Sequence, residues 1–361
     1  MTEFTVIGSP DDRRVAGFAD ACRGEGLPPP SVVPWASLLD GTVTTSIPPG
    51  LLRIESPGGD PDTDALLRGP GEPTRVSGGA RWYAAFTSAL DRLRAAVGPG
   101  TTWLSDPGDI AVMFDKRRCH ARLLAAGVPV PAALGPVTGY ASLRAAMAAA
   151  DCGRVFVKPA HGSSGSGVVA LAAHGSRVRA VTSAVRDSSG GYVNSLRAAV
   201  YEREDEVAAL VDALAPDGLH VERWIPKAGV EGRTFDLRVV VIGGTPTHAV
   251  VRASQLPITN LQMGGQRGSL DAVRDKLSAA RWAQALDVCA QAAACFPGSL
   301  MVGVDLLVDA GLRQFFVGEV NAFGDLLPRL TGLPGGLAEG LDTYTAQVRA
   351  AIAREAAPCG T

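Results

Sequence analysis

The stretch 155-VFVKPAHGSSGSGV-168 sets a short apolar strand against a lysine, a proline and a loop of glycines and serines. A cation at a strand end, followed by backbone free to adopt almost any φ, points to phosphate. Successive N–H groups in such a loop can ring phosphate oxygens. Lys158 closes the strand, and Gly162, Ser163, Ser164, Gly165, Ser166 and Gly167 form the loop. This is not a Walker A loop, which needs GK[ST] opening a helix. A flexible linker has the same composition, so the rest of the chain has to supply the other parts of a nucleotide site.

The 361 residues suffice for two or three packed subdomains and a sizeable core. A chain that is 46% hydrophobic and 19% charged is globular in balance rather than disordered. The formal charge of −2 exerts no global pull on nucleic acid or an anionic membrane, so neither is expected as a partner. Cys22, Cys119, Cys152, Cys289, Cys295 and Cys359 are scattered, with no CxxC pair, and are expected as buried free thiols. The N-terminal apolar run is too short for a signal peptide, and no stretch of about 18 apolar residues occurs. A cytoplasmic location follows as the expectation.

Turn signals divide the chain into residues 1–104, 105–218 and 219–361. In the first unit, FTVIG at 4–8, SVVPW at 31–35 and LLRIE at 51–55 read as strands, with helices over 11–26 and 80–97. The second starts with a helix over 109–131 carrying a lysine near its start and closed by Gly127. Helices over 141–150 and 202–218 flank the opening strand, and 219-LHVERWIP-226 reads as another strand. The third holds strands at 235–244, 301–309 and 314–321 and helices over 270–295 and 336–355. The mixture predicts α/β and α+β layers rather than one doubly wound sheet.

Three acidic or amide side chains stand out near the C-terminus. Asp305 lies in GVDLLV, and Glu319 and Asn321, two apart in VGEVN, share one strand face. Charges in apolar strands are costly unless paired or metal-bound. Three such oxygen donors suit Mg²⁺, and an ion pair with a nearby arginine is the alternative. In 222-ERWIPKAGVEGRTFDLRVVVIGG-244, Glu222 and the following short strand could face an adenine edge, and Asp236 and Arg238 share a face. Arg252 ends another apolar strand ahead of Asn260. Arg238 and Arg252 could grip a carboxylate or phosphoryl group bidentately or form surface salt bridges.

Taken in order, DK…GVPVP, VKP–GSSGSG, VERWIPK, FDLRVVVIGG, VVR…NLQMGG and GVDLLV…GEVN resemble the ATP-grasp superfamily over about residues 105–330. Within it, the chain resembles the carboxylate–amine ligases related to glutamate ligases that modify peptides. The resemblance implies an ATP-grasp fold behind an N-terminal α/β pre-ATP-grasp domain at 1–104. It implies central and C-terminal ATP-grasp subdomains at 105–218 and 219–361. Lys116 and Lys158 match the phosphate-contacting lysines, and 162–167 matches the mobile flap. Glu222 matches the adenine-reading carboxylate, with Arg223, Trp224 and Ile225 as the hinge beside the base. Lys227 falls near the ribose position, for which Glu231 competes. Asp305, Glu319 and Asn321 match the Mg²⁺ ligands (Mn²⁺ being the substitute ion), and Arg252 and Asn260 match groups near the γ-phosphate and acyl-phosphate oxygens. Arg238 joins these as a catalytic candidate.

The implied reaction is ATP-dependent ligation of a carboxylate, on a small molecule or peptide, to an amine such as an amino acid. It runs through an acyl phosphate and releases ADP and phosphate. A kinase-type phosphotransferase and a non-catalytic ATP-binding module are the alternatives. Residues 183–201 match nothing in the family pattern and, with the first domain, are the expected place for substrate docking. A dimer is compatible with the helices at 270–295 and 336–355.

Overall fold

The structure, a computed structural model, describes residues 2–42, 47–58, 60–162, 165–324 and 327–356. Ser163, Ser164 and Cys359 lie outside the described residues.

Three sheets follow one another along the chain. The first is parallel, in the order β2-β1-β3-β4, from β1 (Phe4–Ile7), β2 (Ser31–Val33), β3 (Leu51–Ile54) and β4 (Thr102–Trp103). The second is antiparallel, in the order β8-β7-β6-β5-β9, from β5 (Arg154–Pro159), β6 (Val169–His174), β7 (Arg177–Arg186), β8 (Tyr192–Tyr201) and β9 (Leu219–Arg223). The third is also antiparallel, in the order β13-β12-β11-β14-β15. It uses β10 (Gly229–Val230), which pairs with β11, then β11 (Arg233–Ile242), β12 (Thr245–Ser254), β13 (Gln266–Gly268), β14 (Met301–Val308) and β15 (Phe315–Asn321).

Alternation along the strands decides which face each sheet gives to the core. In β5, Val155 and Val157 pack with Leu143, Met147, Leu210 and Val211 of helices Tyr140–Ala149 and Glu204–Leu214. Phe156 and Lys158 therefore face the other way. In β11, Leu237, Val239 and Val241 pack with Ala285, Val288 and Cys289 of helix Ala279–Ala294. The opposite face of β11 changes character along its length. Asp236 and Arg238 come first, then Val240 and Ile242, which join Phe4, Phe18 and Leu51 of the first unit. The charged half of that face and the cleft face of β5 border the same space.

Several sequence expectations are corrected in detail. The helix expected over 109–131 is two, Pro107–Met113 and Lys116–Ala125, because Asp115 is extended (φ −106°, ψ 106°) and caps the second. Its carboxylate accepts from the N–H groups of Arg117 and Arg118, a standard N-cap geometry. The 270–295 helix breaks into Leu270–Lys276 and Ala279–Ala294, with Ser278 capping the second. The C-terminal helix starts only at Thr343, after turns that place Gly335 and Gly340 at φ +75° and +76°. It packs against helix Arg13–Gly24 of the first unit, so the chain's end returns to its beginning. Strand 31–35 stops at Val33, and Pro34 opens the short helix Trp35–Leu39. Residues 183–201 are the end of β7, a turn and β8.

Candidate active site

One β-bulge arranges the acidic residues. Along β14 and β15 the pairs are Gly303–Asn321, Val304–Val320 and Asp305–Glu319, and the register then slips so that Leu306 meets Val317. Gly318 is the extra residue. Bulges re-aim side chains locally, and Glu319 here stands directly opposite Asp305 on the charged face. Across β14, Asp305 is also opposite Arg238 of β11, and Asp236 is opposite Arg252 of β12.

These neighbours form a buried ion network. Arg238 grips Asp305 through Nε, and its Nη2 donates to Asp305 Oδ2 at 3.2 Å. Arg252 spans both acids, 2.7 Å from Asp236 Oδ1 and 3.1 Å from Asp305 Oδ2. Lys227 Nζ lies 2.8 Å from Thr259 Oγ1 and 3.4 Å from Asp236 Oδ2, and Thr259 Oγ1 itself donates to Asp236. Burial pushes both carboxyls up, but Arg238 and Arg252 at Asp305, and Arg252 and Lys227 at Asp236, hold them below the usual carboxylate range. Lys227 goes the other way: its burial outweighs Asp236 and lowers its ammonium.

The two phosphate-matching lysines reach across from the other lobe. Lys158 Nζ pairs with Glu222 on the neighbouring strand and donates to the bulge carbonyl, Gly318 O, at 3.3 Å. Lys116, at the first position of its helix, donates to Gly162 O at 2.6 Å and lies 3.1 Å from Glu319 Oε1. The start of the glycine loop is held by a second contact set. His161 Nε2 bonds Asp115 Oδ2 at 3.1 Å, and the His161 ring stacks on Tyr83 with centroids 4.1 Å apart. Asp115 thus ties the helix bearing Lys116 to the residue preceding the loop.

Within the loop, Gly165 and Gly167 have φ of +74° and +67°, where L-residues are strained. A side chain at Gly167 would also meet Pro159 Cγ at 2.9 Å, and Asn260 Nδ2 lies 3.4 Å from where a Gly165 Cβ would stand. Ser183 Oγ fastens the turn by accepting from Gly167 N–H and donating to Gly165 O. Gly162 and Ser166 face each other across the same loop.

Most residues singled out in the sequence meet in the cleft. Lys158, Gly165, Glu222, Ile225, Lys227, Arg252, Asn260, Asp305 and Glu319 border one chamber, and Arg238, Gly162 and Asn321 border its continuation of about 460 Å³. Arg223 borders the first chamber as well, and its guanidinium donates to Ala150 O at 3.0 Å, since alternation after Glu222 points the side chain away from the Glu222 face. Trp224 packs on Phe156 (ring centroids 5.2 Å) in a cluster with Ile258 and Met263, and its N–H already donates to Arg154 O. Glu231 lies exposed at the β10–β11 turn with φ +51°, outside the cleft lining, whereas Lys227 is inside it.

Glu222 has a role that spacing did not reveal. It is buried, and besides Lys158 it has His220 Nε2 3.3 Å away. Burial alone would raise its carboxyl, yet Lys158 and then His220 prevail and hold it at about 2, against an ordinary 4.5. Because the folded value lies below the unfolded one, this pair stabilises the protein fully above about 4.5 and progressively less down to about 2. A circular-dichroism acid titration of wild type should show cooperative loss of structure in that window, and Glu222→Gln should lessen the pH dependence there. Thr259, His220 and the His161–Asp115 contact were likewise missed, since each acts through partners distant in sequence.

Among the described residues, no three His, Cys, Asp or Glu side chains cluster as a metal site. The two carboxylates and one amide of Asp305, Glu319 and Asn321 are nevertheless hard oxygen donors of the kind Mg²⁺ takes, with waters and phosphate completing its shell. Asn321 donates Nδ2–H to Gly303 O at 3.3 Å, and its oxygen accepts no hydrogen bond among the described residues. No helix of the described residues is long and apolar enough to cross a membrane.

Two antiparallel sheets facing one another over a cationic, glycine-edged cleft, behind a parallel α/β unit, define the architecture: the chain has the ATP-grasp fold. No protein-family model matches the chain, and no curated protein matches it. Among solved structures it is similar to D-cycloserine synthetase DcsG, with 19% identity and TM-score 0.59 over 97% of this chain and 99% of that one. It is also similar to the ATP-grasp ligase PsnB complexed with minimal precursor, Mg and ADP, with 19% identity and TM-score 0.55 over 97% and 96%. The biotin carboxylase domain of Hydrogenobacter thermophilus 2-oxoglutarate carboxylase, bound to MgADP and bicarbonate, gives 15% identity and TM-score 0.53 over 98% and 70%.

Proposed function

We propose that this protein is an ATP-dependent carboxylate–amine ligase, forming an amide through an acyl phosphate and releasing ADP and phosphate. The observation that carries the reading is the meeting of Lys116, Lys158 and the glycine loop with Asp305 and Glu319 across one cleft. The ligases of the same fold, some bound to ADP and Mg, support it.

An amine does not displace oxide from a carboxylate at neutral pH, so the acid must first gain a leaving group. A carboxylate oxygen attacks the γ-phosphorus and ADP departs. The amine nitrogen then attacks the carbonyl carbon, loses a proton and expels phosphate. Lys116 and Lys158 hold phosphate oxygens, and Arg252, whose Nε and Nη2 are held by Asp236 and Asp305, contributes its positive charge and its remaining N–H to the charge that builds on the transferring group and on the tetrahedral oxyanion. Mg²⁺ held by Asp305, Glu319 and Asn321 would neutralise phosphate charge. Glycines 165 and 167 let the loop close over the cleft and exclude water. Asn260, touching that loop, stands where closure would bring it to the acyl-phosphate oxygens. Ile225 and the Glu222 strand border the base, and Lys227 the ribose.

No covalent enzyme intermediate is needed. The described cysteines are mostly buried, and burial pushes Cys22 to about 11 and Cys119 to about 12. Iodoacetamide on the folded protein should therefore leave turnover within about twofold, since thiols, unlike thiolates, react slowly.

The deciding experiment is Mg–ATP turnover across acid and amine pairs, with ADP, AMP and phosphate scored separately. ADP and phosphate that appear only when both an acid and an amine are present support the ligase. ADP formed with a hydroxyl acceptor and no amine would replace it with a kinase, and AMP with pyrophosphate would overturn the acyl phosphate.

A further inference from the structure

The first unit contributes a wall to the active-site cleft. In the strand order β2-β1-β3-β4, the chain leaves β1 to one side for β2 and returns on the other side as β3. Open parallel sheets bind ligands outside the carboxyl ends of their strands at such a switch point. Arg14 follows β1 there, and Ser56 and Gly58 follow β3. These three border the same 460 Å³ space as Arg238, Arg252 and Asp305.

Charge on the two walls is unequally satisfied. Arg238 and Arg252 are committed to Asp305 and Asp236. Arg53, buried in β3, is paired with Glu55; its Nε and Nη1 have no hydrogen-bond partner among the described residues, but it does not border this space. Among the described residues the Arg14 side chain has one carboxylate contact, Asp12 at 3.4 Å, and that acid already serves as the helix N-cap by accepting from Arg14 N–H at 2.7 Å. Among the described residues, Arg14 Nε is buried with no hydrogen-bond partner. The Arg14 side chain as a whole is 28% exposed and borders the cleft, and a guanidinium so placed is suited to a planar anion.

We propose that Arg14 binds a second anionic group of the carboxylate substrate, so that the acid activated is dianionic. The reacting carboxylate lies toward Arg252, and the remote carboxylate or phosphonate-like group lies toward Arg14, Ser56 and the end of β3. This inference rests on the reading of the cleft as a carboxylate-activating site. It makes Arg14 a specificity residue rather than part of the nucleotide grip.

The test is calorimetric binding to the full chain with Mg–AMPPNP bound. The probes are glutarate, 4-phosphonobutyrate and both enantiomers of glutamate, against butyrate and 4-aminobutyrate, which lack the second anion. The wild type should prefer the dianionic member by about tenfold or more, as a charge-assisted contact supplies. Arg14→Met, shown by its melting curve to be folded, should bring each pair to near parity, and Arg14→Lys should retain part of the preference. Preference for glutarate over 4-phosphonobutyrate would identify a carboxylate, and the reverse a phosphate-type group. Equal binding in the wild type, no saturable binding of any acid, or a preference undiminished in Arg14→Met would overturn the assignment of Arg14. Failure of the wild type to bind Mg–AMPPNP would instead overturn the ligase reading, and this inference with it.

Discussion

Glu319→Ala should lower ATP turnover by at least about a hundredfold, the cost of one charged transition-state contact of roughly 3 kcal/mol. Glu319 is the outer of the two carboxylates brought face to face by the Gly318 bulge, and its side chain is 27% exposed. Its salt-bridge partner among the described residues, Lys116, has a second acceptor in Gly162 O. Lys116 is only 11% exposed, so removal should cost stability about 1–2 kcal/mol, above an exposed pair and below a buried one. Glu319→Gln, which keeps the shape and loses the charge, should be nearly as inactive. Steady-state ADP release beside thermal denaturation separates the two effects. Near-normal turnover in a folded Glu319→Ala protein would sink the proposed Mg²⁺ assignment.

Lys158→Met should damage both chemistry and stability, and a second substitution should separate them. The ammonium is buried. Its burial pulls its pKa down, but Glu222 more than offsets this and raises it above the ordinary value. Deleting the lysine strands a buried carboxylate beside His220, a change that typically costs about 3–5 kcal/mol. Adding Glu222→Gln removes the stranded charge and should restore most of that stability, read by denaturant unfolding. Turnover should stay down by about a hundredfold or more in the double variant, because the proposed phosphate contact would still be missing. Recovery of turnover along with stability would mean that Lys158 is only the counter-ion of Glu222.

The elements of the two antiparallel lobes were legible because their periods are strong. The run 235-FDLRVVVIGG-244 reads directly as a strand with one apolar and one charged face, and β11 is that strand. The helix breaks at Asp115 and Ser278 were written over by continuous apolar spacing on both sides. A single capping residue overrode that periodicity. The ion network could be read only as a choice: an acid on an apolar strand needs a partner, and metal and arginine both serve. The structure provides Arg238 and Arg252 for Asp305, while Glu319 keeps its accessible edge. Arg14 carried no signal at all, since a basic residue in the first turn of a surface helix looks like any other.

What each strand can bury, and where backbone freedom is required, follows from the residue order: Val155 and Val157 on one face, Lys158 on the other, glycine at 165 and 167. These are local consequences of side-chain alternation and of allowed φ values. Which charges meet is a matter of long-range packing. Register across β12, β11, β14 and β15, together with the extra residue at Gly318, sets Asp236 against Arg252 and Asp305 against both Arg238 and Glu319. Pairing across a sheet depends on long-range register, which no local pattern encodes once several strands of similar composition compete. The approach of the first unit, which brings Arg14 to the cleft, depends likewise on Val240 and Ile242 packing with Phe4 and Phe18, residues more than two hundred positions apart.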